Sequence, residues 1–111
     1  MNDDRLQKLF AFLENDPTDP FIKYALATEY TKRQEFEKAL SYFEDLMENN
    51  QEYVGTYYHA GKLYEKLGRP DDAVKTYQKG MSVAKAVRDM HAFSELQTVF
   101  LSATGQDYED D

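Results

Sequence analysis

Two histidines, scattered carboxylate pairs and nine tyrosines are the residues through which this chain could do chemistry. His59 and His91 are far apart in sequence, and neither has a second ligand at metal-binding spacing. Asp71-Asp72 falls at a helix start, where acidic groups complement the positive end of the helix dipole. Glu109-Asp110-Asp111 reads as a solvated run. There is no cysteine to serve as a nucleophile. Neither G-x-x-x-x-G-K-S/T nor G-x-G-x-x-G occurs, so a phosphate cradle is missing. No acid–base or nucleophile set converges, and neither an enzyme nor a bound metal or cofactor is expected. What remains is recognition chemistry, for which tyrosines offer large rigid area and a hydroxyl.

Composition narrows the classes further. At 111 residues the prior is one domain, able to bury roughly two-thirds of its unfolded surface. The apolar share of 41% argues against wholesale disorder. Net charge is -8, from 21 acidic against 13 basic residues, which opposes nucleic-acid and anionic-membrane binding. No apolar run approaches the ~20 residues of a membrane span. The Met1-Asn2-Asp3-Asp4 start has neither a basic nor an apolar leader region, so a cytoplasmic location is expected.

The elements that must position these residues are helices. Leu6, Leu9, Phe10 and Leu13 form one apolar face, and Asn15-Asp16-Pro17 ends that helix. Asp19-Pro20 opens the next, with Asp19 as N-cap. Its Ile22, Leu26 and Tyr30 face one way, and Phe21, Tyr24, Thr28 and Thr31 another. A third helix, about Glu35 to Glu48, buries Phe36, Ala39, Leu40, Phe43, Leu46 and Met47, and Asn49-Asn50 stops it with a left-handed cap. Val54 to Lys66 follows, then a turn with Gly68 as cap and Pro70 opening a longer helix. A last helix, about Met90 to Ala103, carries Phe93, Leu96, Val99 and Phe100.

A register ties these helices together. Leu26-Ala27-x-x-Tyr30 and Ala39-x-x-x-Phe43 recur as Ala60-Gly61-x-x-Tyr64 and Ala73-x-x-x-Tyr77, each thirty-four residues later. Two copies of one helix-turn-helix unit are implied, neither able to bury its apolar faces alone. The small residues set the helix spacing, Ala27 meeting Ala39 and Gly61 meeting Ala73.

This pattern resembles the tetratricopeptide repeat, with Tyr57 in its aromatic slot, Ala60-Gly61 in its Leu-Gly slot, then Tyr64 and Ala73-x-x-x-Tyr77. Lys23 stands in the aromatic slot of the first copy, and Gln51 and Lys85 replace the closing proline. The resemblance implies an all-α, helix-turn-helix repeat solenoid, a right-handed superhelix of about six helices. The expected organisation is one domain over 1–105. It comprises an N-terminal capping helix at 4–15, repeats at 20–53 and 54–87, a C-terminal capping helix at 89–104, and an acidic mobile tail at 106–111.

The resemblance also implies a job, that of a protein–protein interaction scaffold holding a partner's peptide in a concave groove. The alternative is a structural homo-oligomerisation module whose groove or end faces are used for self-association, as in a homodimer. First helices of successive repeats would present Phe21, Tyr24, Thr28, Thr31 and Lys32, then Tyr58, His59, Lys62 and Lys66, with Met90 to Leu96 as a third wall. The lysines suit an acidic segment or a C-terminal carboxylate, which the chain's own tail could also supply. Many family members clamp such a carboxylate with lysines and asparagines, and here Thr28 and His59 stand where asparagines would be.

Overall fold

Capping chemistry decides where each helix of this chain starts and stops, and a computed structural model describes the outcome for residues 3–106. Six helices result: α1 (Asp3–Asn15), α2 (Pro20–Lys32), α3 (Phe36–Asn49), α4 (Gly55–Lys66), α5 (Pro70–Ala86) and α6 (Met90–Ala103). Among the described residues there is no strand. The all-α helix-turn-helix reading therefore holds. The expectation of an acidic mobile tail falls, beyond Gln106, outside the described residues.

The starts follow the local sequence. Asp19 accepts a hydrogen bond from the Phe21 N–H at 2.9 Å, and Pro20 takes the first helical position. Asp89 caps α6 the same way, through the Ala92 N–H at 3.0 Å. Four helix ends share one device. The residues after α2, α4, α5 and α6 turn left-handed at Gln34 (φ 63°), Gly68 (74°), Arg88 (64°) and Gly105 (75°). The next N–H then reaches back to a carbonyl in the last turn, as in Glu35 to Tyr30 at 2.9 Å and Arg69 to Tyr64 at 2.8 Å. Gln34 and Gly68 occupy the same place in the thirty-four-residue register. Asn50 does not use this device. Its φ is −138°, so α3 ends through an Asn50 N–H bond to the Leu46 carbonyl at 2.7 Å rather than a left-handed cap.

The chain divides into two compact units, one ending at Asn50 and one beginning at Gln51. In the first, α2 packs on α3, and α1 packs on α2. Its core holds Leu9, Leu26, Ala27, Ala39, Leu40, Phe43 and Leu46, with Leu26, Ala27, Ala39 and Leu46 sealed from solvent. Tyr30 stacks on Tyr42 of α3 at 6.1 Å between ring centroids. Of the apolar face expected on α1, Leu9 is buried and Leu6 and Leu13 are half-buried, whereas Phe10 is exposed.

In the second unit α5 is the middle layer, touching both α4 and α6. Tyr57, Ala60, Leu63, Tyr64, Ala73, Tyr77, Ala84 and Leu96 form its core. Close helix packing here depends on two glycines. Gly61 faces the Tyr77 ring of α5, and Gly80 faces Tyr57 of α4 and Leu96 of α6. Gly61 thus makes room for an aromatic ring, the ring that follows Ala73 by one helical turn.

Candidate functional site

The residues expected to recognise a ligand lie on α2 in the first unit and on α4 in the second. On α2, Phe21 is 63% exposed, in the first turn after the Asp19 cap. Tyr24 is half-buried and meets Phe43 edge-on at 6.4 Å. The hydroxyls of Thr28 and Thr31 donate to the carbonyls of Ala25 (3.0 Å) and Ala27 (2.8 Å). With their protons engaged, both threonines offer a ligand acceptor capacity only. Lys32 is exposed, with its ammonium 3.9 Å from a Glu29 carboxylate oxygen.

On α4, Tyr58 is half-buried and meets the exposed His59 ring edge-on at 5.5 Å. Desolvation lowers the His59 pKa from its ordinary value of 6.5, with the charge of Glu95 opposing, so the imidazole is neutral at pH 7. Lys62 and Lys66 follow one helical turn apart, both exposed. Lys62 lies 4.0 Å from Glu65, at the outer limit of an ion pair. The other oxygen of Glu65 accepts the Tyr77 hydroxyl at 2.7 Å. Desolvation, then that bond to Glu65, pushes the Tyr77 pKa up, so the phenol stays protonated.

The α6 wall is only partly available. Met90 is 55% exposed and His91 pairs with Glu95 at 3.2 Å, but Leu96 is 1% exposed and belongs to the core. Among the described residues, no group of three histidine, aspartate or glutamate side chains is placed to hold a metal ion. No described helix is long and apolar enough to cross a membrane.

Two buried charges were not anticipated from sequence. Lys23, in the register position of Tyr57, is 6% exposed, and its ammonium donates to Asp45 and Asn50, each at 3.2 Å. Glu29 is 5% exposed and bonds Arg5 of α1 and Arg33, each at 3.0 Å. The Glu29–Arg33 spacing of four residues was a usable signal. The Arg5 contact, twenty-four residues away, had none.

The repeat geometry has close counterparts among known proteins. Residues 54–86 match the family model described as tetratricopeptide repeat. A tetratricopeptide repeat domain protein from Salinibacter ruber, solved in solution, is 48% identical, covering 86% of this chain and 97% of its own, with a TM-score of 0.78. The chain belongs to the tetratricopeptide repeat family. A crystal structure of a tetratricopeptide repeat domain protein from the same organism agrees, at 50% identity, 78% and 98% coverage, and TM-score 0.76. A protein from Bordetella parapertussis shares the fold at 20% identity, covering 91% of this chain and 88% of its own, with a TM-score of 0.76. No curated protein matches significantly. Tetratricopeptide repeats are, as a class, protein–protein interaction scaffolds.

Proposed function

We propose that this tetratricopeptide repeat chain holds a peptide segment of a partner protein on the exposed face of α4, with α1 and α6 capping the repeats of their own units. The segment is acidic or ends in a carboxylate. The observation that carries this reading is the state of Lys62. Its ammonium is half-exposed and held only at 4.0 Å by Glu65, whose other oxygen is engaged by Tyr77. Lys66 follows on the same face, and Tyr58 offers a rigid ring with a hydroxyl beside them, which suits peptide recognition at low entropic cost. His59, its pKa lowered by desolvation, adds an uncharged imidazole beside Tyr58. The exposed Phe21 and half-buried Tyr24 supply a second, more apolar contact set on α2.

A pull-down comparing wild type with a Tyr24→Ala, Tyr58→Ala, Lys62→Ala triple variant tests the reading, with a melting curve to show that the variant folds. A partner captured by wild type and lost with the variant supports it. A partner captured equally by both overturns it.

A second reading has its own support. Phe12, in the last turn of α1, and Phe21, in the first turn of α2, are 55% and 63% exposed on either side of one turn. Two large apolar side chains so placed favour self-association through the first unit. Analytical ultracentrifugation distinguishes the two: a dimer lost on Phe12→Ser, Phe21→Ser supports the second reading, and a concentration-independent monomer rejects it.

A further inference from the structure

The stacked pair Tyr30 and Tyr42 does more than close the α2–α3 core. Together with Glu37, Lys38 and Ser41 it lines an open cleft of about 340 Å³, at the small end of ligand sites. None of these five residues belongs to the recognition set on α2 or α4. Glu37 and Ser41 stand one turn apart on α3, and so do Lys38 and Tyr42. The rings are nearly parallel, 12° between planes, and Tyr42 is half-buried.

The wall already holds one cation. The Lys38 ammonium lies 5.5 Å from the Tyr30 ring centroid and 3.0 Å from Glu35. Lys38 and Glu35 neutralise each other, which leaves Glu37 as the unbalanced charge of the cleft. Glu37 is exposed and makes no ion pair among the described residues. An aromatic wall, a carboxylate and a serine hydroxyl make a receptor for a planar cation. A guanidinium stacks on tyrosine faces, presents a fork of N–H donors to a carboxylate, and leaves another for a hydroxyl oxygen. A lysine ammonium satisfies the charge but not the stacking. The net charge of -8 draws basic segments toward the molecule.

We propose that this cleft takes the arginine side chain of a basic peptide segment, a docking point opposite in charge preference to the α4 lysines. The test is a titration of the isotope-labelled protein, followed by amide NMR shifts, with acetyl-Gly-Arg-Gly-amide and with its lysine and citrulline counterparts. Citrulline keeps the shape of arginine and removes its charge. Saturable shifts centred on Tyr30, Glu37, Ser41 and Tyr42 are expected with arginine, several-fold weaker with lysine, and absent with citrulline. Glu37→Gln, a change at an exposed position, should weaken the arginine response several-fold, and added salt should do the same. Equal responses to arginine and citrulline overturn the proposal. So do shifts centred on α4 and α6, no shifts at all, or an affinity that Glu37→Gln leaves unchanged.

Discussion

The ring of Tyr77 occupies the space that a side chain on Gly61 would need. A Cβ placed on Gly61 would stand 2.6 Å from both Cδ1 and Cζ of that ring, inside any real contact distance. Tyr77 has no exposed surface into which to retreat, and its hydroxyl is tied to Glu65 at 2.7 Å. A glycine inside a helix costs about 1 kcal/mol relative to alanine, so its presence in α4 reflects a steric need.

Gly61→Ala is expected to destabilise the protein by about 1–2 kcal/mol, the overpacking penalty exceeding the gain in helix propensity. Gly61→Leu should prevent folding. Combining Gly61→Ala with Tyr77→Leu should cost less than the sum of the two single changes, because the smaller side chain returns the space. Thermal melts of the three variants check this, and strict additivity would disprove the contact.

The buried carboxylate of Glu29 gives the first unit a pH dependence. Burial alone would raise its pKa, but hydrogen bonds from Arg33 and Arg5 and the charges of Lys32 and Arg33 outweigh that. They hold it below the ordinary value of 4.5. A depressed pKa means that the folded state resists protonation more than the unfolded state does. The stabilisation is therefore complete above 4.5 and is lost as the pH falls through the folded value. Urea unfolding of wild type and Glu29→Gln across this range should show the variant less stable at pH 7 and the difference shrinking in acid. Parallel pH profiles would contradict the assignment.

Lys23 and Asp45 should respond unequally to truncation. Asp45 is 39% exposed at its side chain and can turn to water, whereas Lys23 is 7% exposed there and cannot. Asp45→Ala strands a buried ammonium with only Asn50 as partner and should cost about 1–2 kcal/mol. Lys23→Met fills the site with a flexible apolar chain and should cost less. Denaturant midpoints at matched m-values decide the order.

Gln34 and Arg88 hold left-handed backbone without being glycine. That conformation costs an ordinary residue about 1–2 kcal/mol, part of which glycine returns as unfolded-state entropy of about 0.5–1 kcal/mol. Gln34→Gly and Arg88→Gly should each stabilise by about 0.5–1 kcal/mol, and Gly68→Ala should destabilise by about 1 kcal/mol. Differential scanning calorimetry of the three variants tests whether the shared turn is strained as its φ values imply.

Much of the fold was legible because its determinants are local. Asp19, Pro20, Gly68 and Pro70 act within a few residues of themselves, so α2, α4 and α5 start or stop within a residue or two of expectation. The thirty-four-residue register added what local signals lack, by identifying Ala39, Phe43 and Tyr77 as core. Cap conformation was less legible at Asn50, because a polar residue that tolerates the left-handed region need not enter it. Gln34 shows the converse, since the returning N–H of Glu35 imposed that conformation on an unfavourable residue. Gly80 carries no register signal, because Leu46 and not a glycine stands thirty-four residues earlier.

Periodicity alone shows a pair of helix-turn-helix repeats and which helices carry tyrosines and lysines. Periodicity and spacing suffice for that, because a repeat of fixed length must return equivalent residues to equivalent faces. What those side chains touch depends on how the helices pack. That packing buried Lys23 against Asp45, closed Arg5 and Arg33 on Glu29, set Gly61 against Tyr77, and left Glu37 beside two stacked rings. Such contacts join residues on different helices, and their energies depend on burial and distance, quantities that no single helix carries in its own pattern.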